Sequence, residues 1–209
     1  MRLAVYVDGF NLYNAINDLA KENEHLNALK WLDLWALSED LKECGETVSL
    51  VKYFSAYVTW NEPKLRRHQR YVNALEGRGV KFIEGHFKDR SIRCKKCDQS
   101  FKKREEKETD VNIGCHLMAD ALTDQFDRAI VISADTDLNG AIELCRSVSG
   151  KKVLLAAPPE LFRSNSLASF EISQARIERC LLPISLAFDG RIVTRPLEYD
   201  PPDDALKVD

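Results

Sequence analysis

Two short apolar runs in this chain are each followed by an aspartate within three residues, and this arrangement limits the fold more than any other feature. Residues 129–132 are apolar and β-branched, which is typical of a buried strand, and Asp135 and Asp137 follow before a helical pattern begins. Residues 3–7 form a second strand candidate, which Asp8 follows directly. Open α/β sheets bind ligands outside the carboxyl ends of their strands. The two junctions therefore indicate a shared divalent-cation site.

The rest of the chain alternates strand and helix patterns. Residues 47–58, 80–87 and 152–157 are further strand candidates, and apolar residues at helical spacing lie between them. Five strands that alternate with helices predict an α/β fold: a three-layer α/β/α sandwich around a parallel sheet. We expect one domain over residues 1–193 and a disordered tail over residues 194–209, where three prolines and several acids occur.

If the strand order is 3-2-1-4-5, the first and fourth strands are neighbours and Asp8 meets Asp135 and Asp137. The helix after the third strand begins at the same edge, with Asp110 in its first turn. Carboxylate oxygens are the ligands that Mg²⁺ and Mn²⁺ prefer. The alternative is that each aspartate only caps a helix, since Asp is favoured at helix amino ends. Four such residues at one edge favour the metal site.

Composition and charge exclude some classes of protein. The net charge of −3 produces no general attraction to nucleic acid. No apolar run approaches the roughly 18 residues that a membrane-spanning helix needs, and the amino end lacks a signal-peptide pattern. Six cysteines fit a reducing compartment. We therefore expect a cytoplasmic protein without a membrane partner.

Residues 88–107 interrupt the alternation and are interpreted as an inserted loop rich in cations. Its nine basic residues are Lys88, Arg90, Arg93, Lys95, Lys96, Lys102, Lys103, Arg104 and Lys107. The helix that begins near residue 62 adds Lys64, Arg66, Arg67 and Arg70. Together they would bind phosphates if both segments open onto the same sheet edge. The alternative is an ordinary solvated charged loop, because acids lie among these cations.

The inserted loop also contains Cys94 and Cys97, in the C-x-x-C spacing of half a structural zinc site. No second C-x-x-C exists, and His86 is a candidate third ligand. Free thiols or a disulfide are the alternatives. A redox role is disfavoured because this pair does not open a helix in a thioredoxin-like pattern.

Three blocks of sequence resemble the signature blocks of NYN-domain proteins, in the expected order. They are residues 6–12 (YVDGFNL), 107–112 (KETDVN) and 133–138 (SADTDL). The NYN family belongs to the PIN-like (FLAP-nuclease-like) superfamily of metal-dependent nucleases, and this chain most resembles its LabA-like branch. The resemblance spans roughly residues 2–175. It implies the 3-2-1-4-5 parallel sheet and RNA cleavage that depends on Mg²⁺ or Mn²⁺.

Carried onto this chain, the resemblance assigns roles to particular residues. The metal ligands would be Asp8, Asp110, Asp135 and Asp137, with Asn11 as an auxiliary polar residue. Ser133 and Thr136 would orient a carboxylate or a water, and we group them with the substrate-binding residues. The other substrate-binding candidates are the cations Lys107, Arg66, Arg67, Arg70, Lys95 and Lys96.

The expected function is hydrolysis of RNA phosphodiester bonds by a metal-dependent ribonuclease, most simply an endoribonuclease. A non-catalytic or weakly active RNA-binding module with the same fold is the principal alternative. A haloacid-dehalogenase-type phosphatase would need an acid two residues after Asp8, where this chain has Phe10. The assembly state stays open, with a homodimer as one option.

Overall fold

The computed structural model describes residues 1–93 and 99–202. Four 3-10 turns accompany the strands and helices of this part of the chain, at Glu24–Trp31, Thr136–Leu138, Phe162–Ser164 and Leu197–Tyr199. In chain order the strands and helices are β1 (Arg2–Asp8), α1 (Gly9–Glu22), α2 (Leu34–Asp40), β2 (Thr47–Ser55), α3 (Glu62–Gly77), β3 (Lys81–Glu84), β4 (His86–Arg93), β5 (Ser100–Lys107), α4 (Thr109–Leu122), β6 (Arg128–Ile132), α5 (Asn139–Ser149), β7 (Lys152–Ala157), β8 (Phe170–Glu171), α6 (Gln174–Arg179), β9 (Ser185–Phe188) and β10 (Arg191–Thr194).

The central sheet has the order β3-β2-β1-β6-β7-β8, and every neighbouring pair is parallel. The five strands expected from the sequence therefore lie in the predicted 3-2-1-4-5 order, and β8 adds a sixth at the edge. Val7 of β1 pairs with Ile132 of β6. The residues that follow these two strands leave the sheet side by side at its carboxyl edge.

Apolar side chains fill both faces of the sheet, which gives three layers. In β1, Leu3, Val5 and Val7 pack on the face that α1, α2 and α3 cover. Ala4 and Tyr6 pack on the opposite face, against α4 and α5. The alternation follows from the pleat of a strand, in which successive side chains point to opposite faces. The predicted α/β/α sandwich is confirmed.

The prediction that residues 88–107 form an irregular loop is wrong. In the described part of this segment, β4 and β5 pair as an antiparallel hairpin, from His86 opposite Lys107 to Arg93 opposite Ser100. Charged residues occupy both strands, so the segment shows no apolar alternation from which a strand could be predicted. Phe87 contacts the rest of the domain, because its ring centroid lies 5.5 Å from that of Phe10 and 4.8 Å from that of Trp60.

The expected disordered tail is also corrected where the structure describes it. The strands β9 and β10 form a hairpin, and the turn at Leu197–Tyr199 follows. Tyr199 is only 8% exposed, and Glu198 forms a 2.9 Å ion pair with Arg67 of α3. The buried Tyr199 and the ion pair of Glu198 with Arg67 fix a polar segment that composition assigns to a tail. Residues 203–209 lie outside the described part of the chain.

None of the helices in the described part of the chain combines the length and the apolar composition that crossing a bilayer requires.

Candidate active site

Asp8 is the most buried carboxylate at the carboxyl edge of the sheet, with 5% of its surface exposed. It ends β1 and caps α1, because its Oδ1 accepts a 3.0 Å hydrogen bond from the backbone N–H of Asn11. Its Oδ2 accepts a 2.8 Å hydrogen bond from the hydroxyl of Ser133. Both carboxylate oxygens are therefore held in place.

The residues after β6 are tied to the same point. Ser133 is fully buried, and its Oγ accepts a 3.0 Å hydrogen bond from the backbone N–H of Asp135. The side-chain oxygen of Asn11 accepts a 2.9 Å hydrogen bond from the N–H of Ala134. The two strand ends are thus joined by polar side chains, and Asp8 and Asp135 line one cleft.

The amino end of α4 completes the cleft from the other side. Asp110 lies in the first turn of α4, and Glu108 precedes the helix in the left-handed conformation, with φ of 77°. This conformation is uncommon for a residue other than glycine and produces the sharp change of direction from β5 into α4. The resulting acidic cleft of about 230 Å³ is lined by Asp8, Phe10, Asn11, Asn14, Glu106, Glu108, Thr109, Asp110 and Asp135.

Burial, followed by repulsion from neighbouring acids, raises the pKa values of three carboxylates of the acidic cleft, Asp8, Glu106 and Asp110. Burial raises the pKa of Asp8 to about 6, and the charges of Asp110 and Asp135 add to this. Burial raises the pKa of Glu106 to about 7, with further contributions from Asp8 and Asp110. The pKa of Asp110 is raised for the same two reasons. A group of partly buried acids that repel one another is a chemical environment that a divalent cation would stabilise.

The metal ligands expected from the sequence are brought together to different degrees. Asp8, Asp110 and Asp135 all line the acidic cleft, whereas Asp137 is exposed and borders a neighbouring groove together with Asp110. Asp137 is still near enough to raise the pKa of Asp110. Among residues 1–93 and 99–202, no three His, Cys, Asp or Glu side chains are placed to hold one metal ion as they stand.

Helix capping and site formation are not exclusive alternatives here. Asp8 caps α1, and Asp135 accepts a 2.9 Å hydrogen bond from the N–H of Asp137 at the turn that precedes α5. Each of these carboxylates therefore both caps a helix or turn and lines the acidic cleft.

The substrate-binding candidates are more scattered. Ser133 is buried against Asp8, so it orients a carboxylate and cannot contact a substrate, contrary to its assignment as a substrate-binding residue. Thr136 and Lys107 are exposed. Arg67 lines a cavity beside the acidic cleft, whereas Arg66 and Arg70 line outer grooves of α3. The remaining candidates fall outside the described residues: Lys95, Lys96, Cys94 and Cys97.

Sequence reasoning missed three residues of the site. Glu106 and Glu108 line the acidic cleft because β5 runs up to it, which the expected loop concealed. Asn165 is buried and donates a 3.0 Å hydrogen bond to the carbonyl of Asp135. The KETDVN block begins at residue 107, directly after Glu106, so the family resemblance did not include Glu106. No motif or spacing in the sequence indicated that Asn165 belongs to the site.

The fold and the acidic cleft together define a class: a PIN-like α/β sandwich with carboxylates gathered at the carboxyl edge of its parallel sheet. A solved structure supports the fold, a protein of unknown function from Vibrio parahaemolyticus RIMD 2210633. It superposes with a TM-score of 0.54 at 19% sequence identity, covering 87% of this chain and 96% of that chain.

The family is then given by a family model. The NYN domain model matches residues 2–172, and the chain belongs to the NYN domain family, as the three sequence blocks predicted. This family is generally nuclease-like and generally binds RNA, and PIN-like nucleases generally use divalent metals. The LabA-like branch stays a prediction.

One curated relative is named as a monooxygenase and not as a nuclease. It is the 6-hydroxy-3-succinoylpyridine 3-monooxygenase HspA of Pseudomonas putida, which is 24% identical over 197 aligned residues. The alignment covers 76% of this chain, and the chain spans 60% of the length of that relative.

Proposed function

We propose that this protein hydrolyses RNA phosphodiester bonds with a divalent cation, Mg²⁺ or Mn²⁺, held in the acidic cleft. The observation that carries the proposal is the meeting of Asp8, Glu106, Asp110 and Asp135 in one cleft, from three separate stretches of the chain. Membership of a generally nuclease-like family supports the same assignment.

The donor set fits a hard cation. Asp8, Asp110 and Asp135 would hold it, with Glu106 and Asp137 as further oxygen donors. Among the described residues these side chains do not yet converge on one point, so metal binding would require some of them to move. A divalent cation held there would lower the pKa of a water molecule, so that the water could lose a proton and attack phosphorus, and would neutralise charge on the phosphate.

The residues of the chain contribute orientation and binding. Ser133 bonds the carboxylate of Asp8 and the backbone N–H of Asp135, and so links the ends of two neighbouring strands at the cleft. Asn11 joins the two strand ends through Ala134. The cations of α3, together with Lys107, Lys95 and Lys96, would bind the RNA backbone outside the cleft. Action in the cytoplasm, and a homodimer as one assembly, belong to the proposal as well.

A non-catalytic RNA-binding module is the second candidate. One observation favours it: the described acids do not already form a three-ligand metal site. The activity in the name of the Pseudomonas putida relative is not carried over, because identity is 24% and the chain spans only part of that protein.

Incubation of end-labelled single-stranded and structured RNA with Mn²⁺, with and without EDTA, separates the two candidates. An Asp135→Asn preparation, purified in parallel, controls for contaminating nucleases. Cleavage by the wild type that EDTA and Asp135→Asn both abolish supports the nuclease. RNA that binds to the protein but is not cleaved supports the non-catalytic RNA-binding module.

A further inference from the structure

A second cavity lies directly beside the acidic cleft. It has a volume of about 200 Å³ and shares two lining residues, Phe10 and Asn14, with the acidic cleft. These two residues are four positions apart in α1 and therefore lie on the same face of that helix. A molecule that occupies this second cavity would be separated from the carboxylates by one helix ridge.

Aromatic side chains form the walls of the second cavity: Phe10, Tyr13, Tyr53, His68, Tyr71 and Tyr199. The rings of Tyr53 and Tyr71 meet edge to face with centroids 5.8 Å apart. The hydroxyl of Tyr53 lies 3.2 Å from Nε2 of His68. Burial lowers the pKa of His68 to about 4, so the imidazole is neutral at physiological pH. Walls of this kind accept a flat heteroaromatic ring.

Gly9 allows Tyr53 to form part of these walls. A Cβ atom at position 9 would lie 2.5 Å from the Tyr53 ring and 2.7 Å from the carbonyl oxygen of Phe54. The glycine that follows Asp8 therefore permits the close contact between α1 and β2 beside the cavity.

The rim of the second cavity is cationic. Lys30, Lys64 and Arg67 line it, and none of the described residues that line it is acidic. Burial lowers the pKa of Lys30, and the positive charges of Arg67 and Lys21 repel its ammonium group and lower this pKa further. Arg67 also pairs with Glu198 at the edge. An anionic group on the ligand would relieve this repulsion.

We propose that the second cavity binds one nucleotide of the RNA strand, with its base among the aromatic walls and its phosphate at Lys64 and Arg67. The assignment rests on the proposed function, because it places a neighbouring phosphodiester of the strand at the acidic cleft. The volume of about 200 Å³ is below the roughly 300–1,000 Å³ of ordinary ligand pockets, so the cavity suits a single base.

Isothermal titration of the full chain with nucleoside 5′- and 3′-monophosphates, in EDTA, tests the second cavity without metal. Two further probes divide the nucleotide into its parts. Ribose 5-phosphate lacks the base, and nicotinate is a flat pyridine carboxylate without ribose or phosphate. Lys64→Gln and Tyr13→Ala alter an exposed cation and a partly exposed ring of the cavity. Lys42→Gln is the matched control, because Lys42 is exposed and pairs with Glu39 elsewhere.

We expect at least one nucleotide to bind in EDTA and Asp135→Asn to bind it as the wild type does. Lys64→Gln and Tyr13→Ala should each weaken binding about five-fold or more, and Lys42→Gln should not. In RNA cleavage the same two variants should raise KM by a similar factor and leave kcat nearly unchanged. Circular dichroism confirms that each variant is folded.

Three results would overturn the inference: no nucleotide binding, binding that both variants retain in full, or binding of nicotinate without any nucleotide. If the wild type cuts RNA under one of these results, the proposed function survives and the nucleotide subsite does not. If nucleotides bind through Tyr13 and Lys64 but no RNA is cut, the subsite survives and the nuclease assignment does not.

Discussion

The hydroxyl of Ser133 donates a 2.8 Å hydrogen bond to the carboxylate of Asp8, between residues that are 125 positions apart in the chain. The same hydroxyl accepts the N–H of Asp135 at 3.0 Å. One buried serine therefore positions acids from two neighbouring parallel strands.

Ser133→Ala should impair the site without unfolding the domain. Loss of a hydrogen bond that orients a metal ligand typically reduces metal affinity or activity about 10- to 100-fold. We expect a decrease of that size in Mn²⁺ affinity and in kcat/KM for RNA. Ser147→Ala is the matched control, because the exposed Ser147 hydroxyl bonds only locally, to the carbonyl of Leu144. Wild-type Mn²⁺ affinity and kcat/KM in Ser133→Ala would show that the contact is structural only.

Asp110→Asn and Asp135→Asn should each reduce Mn²⁺-dependent RNA cleavage by about two orders of magnitude or more, because each removes a negative ligand. Initial rates on a labelled RNA provide the measurement. Asp189→Asn provides the control, since Asp189 lies in the turn between β9 and β10 with φ of 47°, a conformation that asparagine tolerates. Unchanged rates in both site variants would exclude the mechanism.

Glu106→Gln should stabilise the protein above neutral pH. The pKa of Glu106 is raised from 4.5 to about 7, so its contribution favours folding below pH 4.5 and is lost as the pH rises through 7. The variant keeps the acceptor for the Thr109 hydroxyl. Because Glu106 is partly exposed, we expect a gain in the free energy of unfolding of about 1 kcal/mol at about pH 8 and none near about pH 4.

Thermal melts of Glu106→Gln across this pH range check the result. Glu143→Gln is the control, because Glu143 is exposed on α5. A gain of equal size at acid and alkaline pH would contradict the assigned cause.

A buried ion pair should have the opposite dependence on pH. Arg128 is fully enclosed at the start of β6 and bonds both oxygens of Glu46, with Nε to Oε1 at 2.7 Å. The hydrogen bonds from Arg128 lower the pKa of Glu46 below 4.5. The stabilisation is therefore complete above pH 4.5 and is lost as the pH falls through the lowered value.

Glu46→Gln tests the ion pair. It leaves the buried guanidinium of Arg128 with only the more distant carboxylate of Glu43, at 3.6 Å, as a counter-charge, and we expect a loss of about 3 kcal/mol in the free energy of unfolding near neutral pH. The difference from the wild type should shrink in strong acid. Asp18→Asn, which removes an exposed pair with Lys21, should cost less than about 1 kcal/mol. Urea melts at several pH values measure both, and a small, pH-independent effect of Glu46→Gln would refute the prediction.

Much of the fold could be predicted from the sequence because its main strands are buried. The runs at β1 and β6 are apolar throughout, and each ends where an aspartate begins a turn or helix. The strand order then followed from the resemblance to the NYN family. The hairpin of β4 and β5 could not be predicted, because a solvated ribbon of charged residues has no apolar period.

The site was predictable only in part, for a similar reason. Asp8, Asp110 and Asp135 stand next to recognisable element ends, whereas Glu106 reaches the acidic cleft through a strand that the sequence does not signal. The strand β8 could not be predicted either, because its two residues are too few to show the alternation of a strand.

The most direct test of a metal site in the acidic cleft is the position of Mn²⁺ in crystals of the protein soaked in MnCl₂, found from anomalous differences at the manganese edge. We expect a peak in the acidic cleft, coordinated by oxygens of Asp8, Asp110 and Asp135, and no such peak in Asp135→Asn crystals. If manganese binds at other surface sites in the same crystals but is absent between these three carboxylates, the proposed metal site is contradicted.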